Sequence, residues 1–222
     1  MPINKLYLAE FEENSIYHVY NRTNNKELLF KSDAHRSYFL QRYSELVSPF
    51  ADTFCYNLLP NHFHLMIRTK SADQIASFLE NQIVPPLTLT EKKFLKDRST
   101  FYVLIKNVFK RFFQSYAQSF NLEQSRKGNL FSRPFKRVLI ESDSQITQTI
   151  IYIHANALKH KITKDFTKYK WSSWDSILSD KKTNLLRDDV LEWFGGGANF
   201  IKTHLESAEY YYFDDIEEYE DY

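Results

Sequence analysis

Cysteine is almost missing from this chain: Cys55 stands alone among 222 residues. One thiol cannot form an internal disulfide, so the expected setting is a reducing one, the cytoplasm. Glycine is nearly as scarce. Gly128 is the only one before residue 195, where "GGG" at 195 to 197 reads as a turn or hinge. No apolar run approaches the length of a membrane span, so no membrane partner is expected. The opening "MPINKLYLAEFEENS" carries three acids and no continuous apolar stretch, which argues against a secretory signal. Internal repeats are absent. The last seventeen residues, "ESAEYYYFDDIEEYEDY", contain no Lys or Arg.

That last absence changes the meaning of the net charge of +1. Eight acids sit in residues 206 to 222, so residues 1 to 205 hold all 29 basic residues against 20 acids. Within 91 to 138, twelve Lys and Arg face only Glu91, Asp97 and Glu123, interleaved with Phe, Tyr and Gln. This is the pattern of a polyanion-binding surface, with a solvated helix face as the plain alternative. With 43% hydrophobic and 17% aromatic residues, the chain has material for one substantial core. Residues 1 to 175 are expected to form the main domain, and 176 to 222 a C-terminal extension ending in the acidic, Tyr-rich tail.

Period-two alternation marks strands at 15 to 22, 53 to 59, 62 to 69 and 135 to 141. Helical spacing marks 33 to 47, opened by Asp33, the segment "SADQIASFLENQI" after Ser71, then 99 to 121, and 143 to 162 after Ser142 or Asp143. Pro85 and Pro86 are expected to stop the second of these helices. The order β-α-β-β-α-α-β-α implies an α+β fold, an antiparallel sheet with helices mainly on one face. Beyond residue 163 the signals weaken.

The stretch "LLPNHFHLMI" places His62 and His64 two apart on the third strand, where residues i and i+2 share a face, so both imidazoles can converge on one cation. On the last of these helices, Gln148, Tyr152 and Asn156 form a polar stripe, with Ile146, Ile150, Ile153 and Ala157 on the apolar side. If that stripe faces the histidines, the Asn156 amide completes a metal site and the Tyr152 hydroxyl lies one turn away. Otherwise Tyr152 covers the core and its hydroxyl meets water.

Three segments together resemble the HUH single-tyrosine transposases, most closely the REP-associated tyrosine transposases. "YHVYNRTNNKELLF" is similar to that family's first strand and turn, "PNHFHLMI" to its His-hydrophobic-His strand, and "YIHANALKH" to its catalytic helix. "YKWSSW" is similar to the segment that follows. The resemblance spans about residues 15 to 175. It implies a ferredoxin-like four-stranded antiparallel sheet, metal binding by His62 and His64 with Asn156 as third ligand, and Tyr152 as nucleophile. The family pattern continues after the Asn with Pro, small residues and Gly; here Ala157 and "KHK" stand instead, which puts the end of the helix in question.

The implied activity is metal-dependent cutting and rejoining of single-stranded DNA near hairpins through a 5′-phosphotyrosine link, with Mg²⁺ or Mn²⁺ as cofactor. Zinc is the rival ion. Expected phosphate contacts are Lys106, Lys110, Arg111, Arg126, Lys127, Arg133, Lys136 and Arg137. The partner is single-stranded DNA with a hairpin, and the chain acts as a monomer or homodimer. The alternative is a catalytically silent, domesticated DNA- or RNA-hairpin binder; four intact site residues weigh against it.

Overall fold

The computed structural model describes residues 7–81 and 86–213. Four strands, β1 (Ile16–Arg22), β2 (Ala51–Leu58), β3 (His62–Thr69) and β4 (Lys136–Ile140), form one sheet. Its order is β2-β3-β1-β4, and each neighbouring pair is antiparallel. β3 lies inside the sheet and is buried along nearly its whole length, as its run of hydrocarbon residues requires. The expected antiparallel α+β sheet is what the chain forms.

Helices cover both faces rather than mainly one. α1 (Asp33–Leu46), α2 (Ala72–Glu80), α3 (Leu89–Lys96) and α4 (Phe101–Glu123) pack on the side to which Tyr17, Val19, Phe63, Leu65 and Ile67 point. α5 (Asp143–Lys159), α6 (Trp174–Leu178), α7 (Arg187–Trp193) and α8 (Gly197–Phe213) build a second core around Phe54 and Met66. The reason lies in the strands: β3 buries Phe63, Leu65 and Ile67 on one face and Met66 beside His62 and His64 on the other, so each face needs a cover. The first core is largely phenylalanine, with Phe39, Phe109 and Phe112 wholly inaccessible. Each such burial contributes on the order of 2–3 kcal/mol.

Local chemistry sets the helix ends. α1 is capped by Ser32, not Asp33: the Ser32 hydroxyl accepts from the His35 amide, and Asp33 is the first helical residue. Ser71 and Ser142 cap α2 and α5 with reciprocal bonds from Gln74 and Gln145. The expected stop at Pro85 lies outside the described residues. α5 continues through Ala157 and ends at Lys159, and Lys161 takes a left-handed φ of 56° beyond it. Gly195 and Gly196 supply the positive φ angles of the turn into α8. Residues 206–213 of the acidic tail continue that helix.

A directed chain of neutral hydrogen bonds fastens α8 to α5. The Tyr56 amide donates to Ser173 Oγ, and the Ser173 hydroxyl donates to His154 Nε2 at 2.8 Å. His154 Nδ1 then donates to His204 Nε2 at 3.0 Å, and His204 Nδ1 donates to the Phe200 carbonyl at 2.8 Å. Only this pair of tautomers satisfies every atom.

Neither outer strand leaves its edge bare. The Leu58 amide donates to the Trp171 carbonyl and the Leu186 amide to Thr53, closing β2. Leu8 bridges Arg137 and the Ala9 amide donates to its carbonyl, closing β4.

Candidate functional site

β3 turns His62 and His64 toward α5, and α5 returns Tyr152 and Asn156 toward them. The two imidazole rings lie 5.2 Å apart between centroids and nearly perpendicular. The Tyr152 ring meets His64 edge-on at 5.6 Å and His18 at 5.9 Å. Tyr152 is half-exposed, while Asn156 and His64 are fully buried. Ile146, Ile150, Ile153 and Ala157 all lie inside, and Gln148 is exposed at the outer end of the stripe.

The geometry fits a shared cation. His62 Nε2 stands 3.5 Å from Asn156 Oδ1, long for a hydrogen bond. Two donors each about 2.1 Å from one ion stand roughly 3.0–3.5 Å apart. The Asn61 carboxamide oxygen lies 2.7 Å from His62 Nδ1 and accepts its proton, which turns the Nε2 lone pair inward. Asn156 Nδ2 is buried with no partner among the described residues, the mark of an amide whose environment is incomplete. Among the described residues no three His, Cys, Asp or Glu side chains form a metal cluster.

Several neighbours were not singled out by the sequence reading. His18 Nε2 lies 2.9 Å from His64 Nδ1. The Tyr20 ring stacks on both His18 and His64. His160 faces His62 with 4.7 Å between centroids, and the Lys159 ammonium stands 5.2 Å from the Tyr152 ring. Alternation along β1 already set Ile16, His18 and Tyr20 on one face. What the sequence withheld was the register, which places Tyr20 opposite His64 and His18 opposite Met66.

Asn57, opposite His64 on β2, donates through Nδ2 to the Ile153 carbonyl at 2.7 Å. Its buried Oδ1 has no partner among the described residues.

The eight expected DNA contacts divide into distinct groups. Arg111 pairs with the buried Glu91 at 2.7 Å, and Arg126 pairs with Glu27. Arg137 is buried, with one guanidinium bond to the Ala9 carbonyl at 2.6 Å and another to the Tyr102 hydroxyl at 2.8 Å. Lys106, Lys110 and Arg133 line an open cavity beside α4, and Lys127 is exposed on the loop after it. Lys136 alone lies on the histidine face, its ammonium 5.5 Å from the Tyr20 ring.

No helix among the described residues is long and apolar enough to cross a membrane. No protein-family model matches the chain, and no curated protein matches it by sequence. Among solved structures, the fold is similar to that of a REP-associated tyrosine transposase bound to a REP hairpin. The identity is 11%, the TM-score 0.48, and the match covers 78% of this chain and 84% of that one.

Proposed function

We propose that this chain is a metal-dependent single-stranded DNA endonuclease of the transposase type, cutting and rejoining DNA near hairpins through a covalent link to Tyr152. The observation that carries this reading is the convergence of a half-exposed phenol on two strand-borne imidazoles, with a helix-borne amide 3.5 Å from one of them. A core tyrosine needs no such company.

His62, His64 and Asn156 would hold Mg²⁺ or Mn²⁺, which when bound withdraws charge from a scissile phosphate. The Tyr152 oxygen attacks phosphorus in line with the bond to the 3′ oxygen. That bond breaks, the 3′ oxygen takes up the proton given up by the phenol, and a 5′-phosphotyrosine remains. A phenol with an ordinary pKa near 10 is mostly protonated at neutral pH, so its proton must leave as the bond to phosphorus forms. Because one phosphodiester replaces another, the step reverses onto a new 3′ hydroxyl without ATP.

Incubation with single-stranded hairpin oligonucleotides and Mn²⁺ tests the reading. Wild type is expected to form a denaturation-resistant protein–DNA adduct, and Tyr152→Phe none. Equal adduct in both, or none in wild type across a panel of hairpins, would defeat it.

A further inference from the structure

On the face of the sheet away from Tyr152, α4 and the segment 128–135 enclose an open cavity of about 660 Å³. This lies within the roughly 300–1,000 Å³ that accommodates a small ligand. Its wall is built, not incidental. Asn24 donates to the carbonyls of Asn129 and Phe131, and the Ser132 amide donates to Arg22, so the end of β1 pins the loop. Arg126 adds a staple to Glu27 and the Asn129 carbonyl.

Three properties specify the occupant. The first is charge. Arg137 at the inner end is 3% exposed and contacts carbonyls, a phenol and ring faces; among the described residues no carboxylate pairs with it. Lys110 and Arg133 at the rim are exposed, so the cavity carries a positive field that suits an anion. The second is an apolar floor. Phe113, Phe131 and Phe135 retain 8%, 6% and 8% exposure, whereas Phe109 and Phe112 beneath them have none. The third is the carboxamides of Gln114 and Gln118, exposed one and two turns after Lys110 on α4. Carboxamides match the donor and acceptor edges of nucleobases, which a plain phosphate site does not require.

β4 joins this cavity to the histidine face. Its alternation sends Arg137 toward α4, opposite Val19, and Lys136 toward Tyr20, which stacks on His64. A chain of phosphates crossing this flank of the sheet would meet cations on both sides.

We infer that the cavity between α4 and the segment 128–135 captures a nucleotide of the single-stranded DNA, its base over the phenylalanine floor and its phosphate toward Lys110 and Arg133. This rests on the DNA-cutting reading for its partner but uses a different part of the molecule. It adds base recognition about a separate pocket to chemistry at Tyr152.

Binding is best measured in full-length Tyr152→Phe without divalent metal, so that no cutting occurs. Probes are a short single-stranded oligonucleotide, the same strand with its bases removed, and a blunt hairpin. The base-bearing strand is expected to bind at least about tenfold more tightly than the abasic strand, the scale of one stacked base. Lys110→Ala with Gln114→Ala, both at exposed positions, is expected to abolish that preference while binding of the blunt hairpin changes less than threefold. Equal affinity for base-bearing and abasic strands, or a preference that survives the double substitution, would overturn the pocket. Saturation by dTMP alone at micromolar concentration would instead mark a free-nucleotide site and overturn the assignment to a strand. A base preference retained in a chain whose wild type never forms an adduct overturns the cutting reading and leaves the pocket standing.

Discussion

The side-chain amide of Asn57 donates to the main-chain carbonyl of Ile153 at 2.7 Å, so β2 grips α5 one residue beyond Tyr152. The bond is fully buried and fixes the height of the proposed nucleophile above the sheet. Asn57→Ala is expected to cost about 1–2 kcal/mol of stability, read from urea denaturation. It should lower adduct yield about tenfold or more, because small displacements of a reacting group are expensive. An unchanged adduct yield would show that this grip does not set the position of Tyr152.

His18 is expected to act through His64. His64 Nδ1 lies 2.9 Å from His18 Nε2, and a metal on His64 Nε2 requires that Nδ1 be the donor of this bond. His18→Phe should therefore weaken Mn²⁺ binding by about 10–100-fold in calorimetry, the usual cost of losing a partner that orients a metal-bound imidazole. His18→Gln, which keeps an acceptor, should recover part of it. Equal Mn²⁺ affinity in all three proteins would remove His18 from the site.

Acid should loosen the attachment of α8. Burial, and next the neighbouring His204, hold His154 well below the ordinary imidazole value, and burial brings His204 down to about 4. The unfolded chain takes up these protons near pH 6.5, whereas the folded chain refuses them until lower pH. The stabilising contribution is thus complete above about pH 6.5 and is lost as pH falls toward 4, on the order of 3 kcal/mol for His204. Thermal melts across that window should show Tm falling in wild type, and a flatter profile in His204→Phe.

Neighbouring cations on α4 should behave differently. Lys110 faces the cavity, so Lys110→Ala should lower the dependence of log affinity on log salt by about 0.7, the share of one single-strand phosphate contact. Arg111 neutralises Glu91, whose side chain is only 5% exposed. Arg111→Ala should cost about 2 kcal/mol, less than the 3–5 of a fully buried pair because Arg111 is itself 37% exposed. If Arg111→Ala weakened DNA binding at unchanged stability, this division would be wrong.

His62, His64, Tyr152 and Asn156 were legible because each depends on local periodicity: i and i+2 on a strand, i and i+4 on a helix. β3 is found at 62 to 69 as its alternation indicates, and α5 begins at Asp143 as its cap requires. His18 and Tyr20 join the site through the pairing of β1 with β3, a contact about 46 residues apart that no local pattern encodes. α3 passed unnoticed because its eight residues fall within a strongly basic stretch. α6 to α8 escaped for a different reason: they are held by Trp174, Phe200 and the His154 to His204 bond, which exist only once α5 is in place. Charge alone could not separate Arg111 and Arg126, which hold the fold together, from Lys110 and Arg133, which face solvent.

Because the chain itself takes up main-chain groups of Thr53 and Leu58 on β2 and of Arg137 on β4, strand pairing between two copies would have fewer open positions to use on these margins. Removing the stretch around Trp171 to Leu186 would expose the Thr53 and Leu58 backbone and invite aggregation before it altered any chemistry at the histidines.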